Sequence, residues 1–179
     1  MNCVRYGGVL AGEIKKPKSY SLRTLETLRN LTKDEASVVV KAAPYIIGNL
    51  CMYKDSVLSL SERLLLQEIG LMLDDGMGLE LNWEVKGKDT LSIVMDENYI
   101  FILHNDKEEL VNCHTEVYKL STAGSEIFKL VNIDVSTREA FYKTLADHFH
   151  KKGIAHVYKH KIVEVTPKIK YNLIGEEIL

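Results

Sequence analysis

Gly78 to Val85 reads GLELNWEV, and the fold turns on this stretch. Leu79, Leu81, Trp83 and Val85 alternate with Glu80, Asn82 and Glu84, the two-residue period of a strand with one buried face. Everything upstream carries the longer period of helices, so the chain switches from helix to sheet near Gly78. Downstream, the turn-like Lys86 to Asp89 precedes Leu91, Ile93 and Met95. The polar Asp96 to Asn98 then leads to Tyr99 to Leu103, and the whole predicts a three-stranded antiparallel meander. Asn105 to Glu109, NDKEE, is expected to be exposed. Val117 to Leu120 reads as a short strand entering a helix capped by Ser121, with Ile127, Leu130 and Val131 turned inward. Ser136 and Glu139 have capping-box spacing ahead of Phe141, Leu145 and Phe149, and Lys151, Lys152 and Gly153 end that helix. Strands near Ile154 to Val165 and Ile169 to Leu173 close the chain.

Upstream of Gly78, the start signals predict three helices. Ser21 caps one in which Leu22, Leu25 and Leu28 share a face. Thr32 and Glu35 form a capping box for a second, with Val38, Val39, Ala42, Ala43, Ile46 and Ile47 as its buried side. Pro44 lies inside this run, lacks an N–H and crowds the preceding turn, so a break is expected near Ala43, with Gly48 and Asn49 as the end. Ser59 and Glu62 repeat the box before Leu64, Leu65, Ile69, Met72 and Leu73, a helix expected to stop at Asp74 to Gly76.

The chain has 179 residues, 46% hydrophobic and 27% charged, enough to bury a core in one or two domains. Cys3, Cys51 and Cys113 have no paired spacing, which argues against a disulfide framework or a cysteine zinc site and fits a reducing cytoplasm. The early apolar runs are broken by Gly7, Gly8 and Gly12, leaving neither a signal-peptide pattern nor a membrane-spanning run. Net charge is −2 overall, but residues 1–33 carry +5, residues 34–131 carry −9 and residues 132–179 carry +2. Wrapping nucleic acid over the whole surface needs clustered Lys and Arg, and the acidic middle opposes it.

Catalytic and metal-binding patterns fare no better. His148 and His150 would point about 200° apart on a helix. On a strand His156 and His160 share a face but stand about 13 Å apart. Surface histidines are therefore expected and no metal site is. G-x-S-x-G, H-E-x-x-H and the P-loop pattern are absent. Gly7, Gly8 and Gly12 follow no strand, as a dinucleotide fingerprint would require. Asp74 with Asp75, and Asp106 with Glu108 and Glu109, lack a calcium-loop pattern and read as solvated charge. No catalytic residue and no cofactor is assigned.

Three helices followed by strands also suggest a winged helix, in which a helix enters the major groove. The third helix has one Arg63 against Glu62, Glu68, Asp74 and Asp75, which phosphate would repel. The residues placed to touch phosphate or a partner are Lys15, Lys16, Lys18, Arg23 and Arg29, with Lys159, Lys161, Lys168 and Lys170 as a second set. A solvated surface accounts for both sets more simply.

Leu10 to Ala36, LAGEIKKPKSYSLRTLETLRNLTKDEA, resembles the phrase L-A-G-E-I-x-x-P-x-S-x-S-x-R-T-L-x-x-L of an uncharacterised bacterial and prophage family. That family is a domain of unknown function found in phage-related and defence-associated settings. The matching residues are Leu10, Ala11, Gly12, Glu13, Ile14, Pro17, Ser19, Ser21, Arg23, Thr24, Leu25 and Leu28. LSTAGSEIFKLV, Leu120 to Val131, is similar to a strand-to-helix step L-T-x-x-G-x-E-L of such proteins. Family members carry more sequence ahead of the phrase and a tryptophan at the place of Tyr6, so the resemblance implies a shortened member or a domain boundary. It carries over no catalytic residue. The residues themselves read as a folding corner. Leu10, Ala11 and Ile14 form one helical face, Pro17 stops that helix, the serines start the next, and Glu13 and Arg23 pair across the joint.

The expected protein is cytoplasmic and α+β, with a helical part at 1–76 and an antiparallel-sheet part with packed helices at 77–179, winged-helix-like in outline. The expected function is a non-enzymatic binding or regulatory module, related to prophage or phage conflict and acting through a protein partner. Nucleic acid is disfavoured, no membrane is involved and a homo-oligomer is compatible. The alternatives are a nucleic-acid-binding protein, or an enzyme with an acidic or histidine-based site.

Overall fold

Ser21 opens the first helix as the sequence predicts, its hydroxyl accepting the Thr24 amide at 3.2 Å and starting α1, Leu22–Asn30. The computed structural model describes residues 20–52, 58–73, 79–86, 90–96, 98–165, 169–171 and 174–178. The chain divides into two compact units. The first comprises Met1–Leu79 with Glu116–Thr137, and the second Glu80–Thr115 with Arg138–Leu179.

In the first unit the spacing argument for α1 needs correcting. A three-residue step drifts by about 60° around a helix, and Leu22 ends up 80% exposed while Leu28 is buried. The inward stripe is Thr24 and Leu28, one turn apart. Thr32 and Glu35 form the expected capping box on α2, Lys33–Ala42, at 3.3 and 2.6 Å. The break at Pro44 is also present. A single 3-10 turn, Ala43–Tyr45, follows α2. Gly48 and Asn49 do not end a helix. They turn a hairpin between β1, Ile46–Ile47, and β2, Leu50–Met52, with Gly48 at a φ of 58° that favours glycine.

Ser59 and Glu62 box the start of α3, Leu60–Glu68, as expected. This helix stops well before Asp74, because Gly70 takes a φ of 75°. The amides of Gly70 and Leu71 then turn back to the carbonyls of Gln67 and Leu66, both at 2.9 Å, a Schellman close. The early stop changes the buried set. Leu66, Leu71 and Met72 are inside, whereas Leu64 and Leu73 are exposed. With α4, Thr122–Phe128, these helices enclose Leu28, Val39, Ala42, Leu66, Ile127 and Phe128. Ser121 caps α4 through the Gly124 amide at 2.9 Å.

In the second unit β3, Leu79–Val85, keeps its alternation, with Val85 buried and Glu80, Asn82 and Glu84 exposed. The three-stranded meander is not formed. β4, Thr90–Val94, pairs with β5, Tyr99–His104, but β3 lies beside β6, Val111–Lys119. The sequence hides most of β6, because its buried positions are Cys113, Thr115 and Val117, and the polar Thr115 interrupts the apolar alternation. β5 continues onto β7, His156–Val165, with Leu103 opposite Val157 and His104 opposite His156. The other edge of β7 carries β8, Ile169–Tyr171, and β9, Glu176–Glu177.

The α5 helix, Val135–Lys151, packs Phe141, Tyr142, Leu145, Ala146 and Phe149 inward. Tyr142 sets its ring edge-on to Phe101 at 5.4 Å, and Trp83 meets Phe149 at 5.2 Å. The predicted Ser136 and Glu139 box is absent. Asp134 accepts the Thr137 amide at 3.3 Å, and Glu139 bonds Lys159 instead. Asn105 is likewise buried, not exposed, bonding the Glu109 carbonyl and the Lys107 amide around its loop. Helices and antiparallel sheets together make the chain α+β. Among the described residues no helix is long and apolar enough to cross a membrane.

Candidate functional site

Of the residues picked out as phosphate or partner contacts, Lys15, Lys16 and Lys18 lie outside the described residues, as do Glu13, Asp74, Asp75 and Lys168. Arg23 and Arg29 are exposed on α1. Six residues of helix put them about 120° apart, so they do not converge. The second basic set is partly consumed. Lys159 bonds Glu139 at 2.6 Å and Glu176 at 3.3 Å. Arg63 of α3 reaches the Tyr118 hydroxyl at 2.7 Å and lies over that ring.

The two phrases behind the resemblance meet in the first unit. Ser21 donates its amide at 2.9 Å, and Thr24 its hydroxyl at 2.6 Å, to the same carboxylate oxygen of Glu126. Thr24 is fully buried. Burial pushes the Glu126 carboxyl up, but the Thr24 hydroxyl and the Ser21 amide outweigh it and hold the group below its usual range. At the other end of α4, Ser121 donates its hydroxyl to the Gly70 carbonyl at 2.6 Å and its amide to the Leu71 carbonyl at 3.0 Å. Gly124 presses on that same carbonyl, where a Cβ would stand 2.0 Å from the oxygen. Ser21, Thr24, Ser121, Gly124 and Glu126 therefore bond to one another or to backbone, which is what a folding corner requires.

The group with unspent chemistry lies in the second unit. His104 and His156 face each other across β5 and β7 with rings stacked 6.0 Å apart. Asp106 spans them, one oxygen 3.3 Å from His104 Nε2 and the other 3.0 Å from His156 Nε2. Glu177 of β9 takes His156 Nδ1 at 2.5 Å. Carboxylates only accept, so His156 satisfies both by donating from both nitrogens as an imidazolium. Glu177 first and Asp106 second raise its pKa above the ordinary histidine value. Both nitrogens are engaged, which makes His156 a bridging cation and leaves it no lone pair for general-base work.

The other histidines separate as their helix spacing predicts. His148 Nε2 meets the His114 carbonyl at 3.0 Å. His150 spans two carbonyls, Ile154 at 3.0 Å through Nδ1 and Ile178 at 3.2 Å through Nε2. The expectation of surface histidines fails for His160, which is 9% exposed beneath Gly175. Among the described residues no group of three or more His, Cys, Asp or Glu side chains is placed to hold a metal. Sequence reasoning missed His104, Asp106 and Glu177 as partners of His156. Only the strand register joins positions so far apart, although two histidines on neighbouring strands, one with an acid two residues on, were available as a signal.

Residues 5–49 match the model of a family described as a protein of unknown function (DUF2806). No curated protein and no solved structure matches the chain.

Proposed function

We propose that the protein is a non-enzymatic binding or regulatory module that acts through a protein partner in the cytoplasm. The observation that carries this reading is on α3. Leu60 and Leu64, one turn apart and so on one side of the helix, are 63% and 53% exposed, while Leu66 of the same helix is buried. Two large apolar side chains held in water side by side by a capped helix suit a protein contact better than a phosphate contact. The acids of α3, Glu62 and Glu68, and the engagement of its Arg63 by Tyr118 also disfavour nucleic acid. Consumption of the corner's polar groups by its own fold disfavours catalysis there. A prophage or phage-conflict setting rests on the resemblance of Leu10 to Ala36 alone.

The test compares the full chain with the Leu60→Ser, Leu64→Ser double variant by affinity capture from bacterial lysate, beside mobility shifts on duplex DNA at several salt concentrations. A protein retained by the wild type and lost by the variant is expected. Duplex binding that weakens steeply with salt, with no leucine-dependent protein, would overturn the proposal.

A further inference from the structure

The C-terminal segment of the second unit is seated on basic side chains, residue by residue. Gly175 lies on the buried His160 ring so closely that a Cβ would fall 2.3 Å from its Nε2. Glu176 meets Lys159, Glu177 meets His156, and the Ile178 carbonyl meets His150. Ile178 is itself buried, and its amide bonds the Val157 carbonyl at 2.9 Å. The segment covers the edge of β7 at Tyr158 and Lys159 through a ladder only two residues long. So short a strand gains little from its own backbone pairing, and the side chains beneath it decide whether it stays.

One of those side chains, His156, fills both of its bonding positions only when protonated, because it lies between the acceptor-only carboxylates of Glu177 and Asp106. A neutral imidazole has one N–H and can serve only one acceptor of the pair. From this geometry we propose that residues 175–178 form a proton-gated latch, closed over the edge of β7 while His156 is protonated and opening as it loses its proton. An open latch leaves that edge unpaired, and an unpaired strand edge is a ready surface for an incoming extended segment. The proposal stands independently of the α3 contact.

The surrounding charges support a gate confined to His156. His156 faces Asp106 from the loop after β5, Glu177 from β9, the His104 ring from β5 and the Tyr158 ring on its own strand. Lys159 faces Glu139 from α5, Glu176 from β9 and the Tyr99 ring from β5. Burial works against the Lys159 charge, but Glu139 and Glu176 more than restore it, so this ammonium stays charged throughout and holds Glu176 at constant strength. His156 has the sign of a group whose folded pKa is raised. Its contribution is complete below the ordinary histidine value of 6.5 and fades as pH climbs through the raised value.

Amide hydrogen exchange on the full chain, corrected for intrinsic pH dependence, tests the latch between pH 5.5 and 8.5. The Ile178 amide is the reporter, and the buried β5 amides of Phe101 and Leu103 are internal controls. Protection at Ile178 is expected to fall as pH rises across the range, while the controls hold. His156→Gln and Glu177→Gln are expected to start low and to vary less than about twofold on the same scale. Constant protection at Ile178, loss of Ile178 and control protection together, or variants that keep the full pH response would each overturn the latch.

Discussion

Gly124→Ala tests the corner most directly. The new methyl would stand 2.0 Å from the Leu71 carbonyl oxygen and 2.9 Å from its carbon. A relaxed carbon to oxygen contact is about 3.3 Å, so α4 or the Leu71 backbone must move by about 1.3 Å on that scale. Neither moves freely. Leu71 is fully buried, and its carbonyl already receives the Ser121 amide at 3.0 Å. Overpacking of this kind costs about 1–3 kcal/mol. Loss of the Ser121 bond adds about 1 kcal/mol, and the better helix propensity of alanine returns about 1 kcal/mol. The net loss is about 1–3 kcal/mol, which for a chain of this size lowers the melting midpoint by about 2–12 °C. Thermal and urea melts followed by circular dichroism read it. Gly48→Ala is the control, since Gly48 has φ 58° with no atom within 4 Å, and only backbone strain of about 1–2 kcal/mol applies there. A Gly124→Ala protein that melts at or above the wild-type midpoint would refute the reasoning, because Gly124 would then be merely a poor helix residue.

Two further outcomes follow from the same packing. Thr24→Val removes the hydroxyl that bonds the Glu126 carboxylate, and urea unfolding is expected to show a loss of about 1.5–3 kcal/mol near pH 7. The Glu126 pKa is depressed in the fold, so its contribution is complete above the ordinary carboxylate range and fades as pH falls through the folded value. Stability measured from pH 7 down to pH 3 should therefore drop less steeply in Thr24→Val than in the wild type. Burial pushes the Cys51 thiol up to about 12 and also raises Cys113, despite the opposing charge of Lys152. A thiol-disulfide reagent at pH 8 is expected to leave both unlabelled in the native protein and to label both in urea, as peptide mass mapping would show; rapid native labelling of Cys51 would count against its burial on β2.

The features legible in the sequence were those that a helix end writes locally. Four serine or threonine caps, the break at Pro44 and the stop at Gly153 all depend on neighbours within about four residues, and all are where the spacing places them. Part of what escaped was decided by residues far apart. The β6 strand buries Thr115 between Cys113 and Val117, a polar residue that breaks the apolar alternation, and its existence is what separates β3 from β4. Thr24 looked like one more polar helix residue because its partner, Glu126, lies in another phrase. The His156 bridge depends on a register between β5 and β7, and a one-residue slip would turn His104 to the other face.

The two carboxylate clusters differ in what holds them, and that difference assigns them different work. Glu126 is held by a hydroxyl and an amide, donors that keep their protons across the whole physiological range, so the corner it ties responds to acid alone. Glu177 and Asp106 are held by imidazole nitrogens, and histidine is the side chain whose ordinary titration falls between pH 5 and 8. A mutation that disturbs the corner should therefore shift stability at every neutral pH alike. One that disturbs the histidine bridge should change only how the molecule answers to pH, and only at residues 175–178. The resemblance phrases accordingly mark how the first unit is built, while sensitivity to conditions near neutrality sits in the second unit, in residues that neither phrase contains.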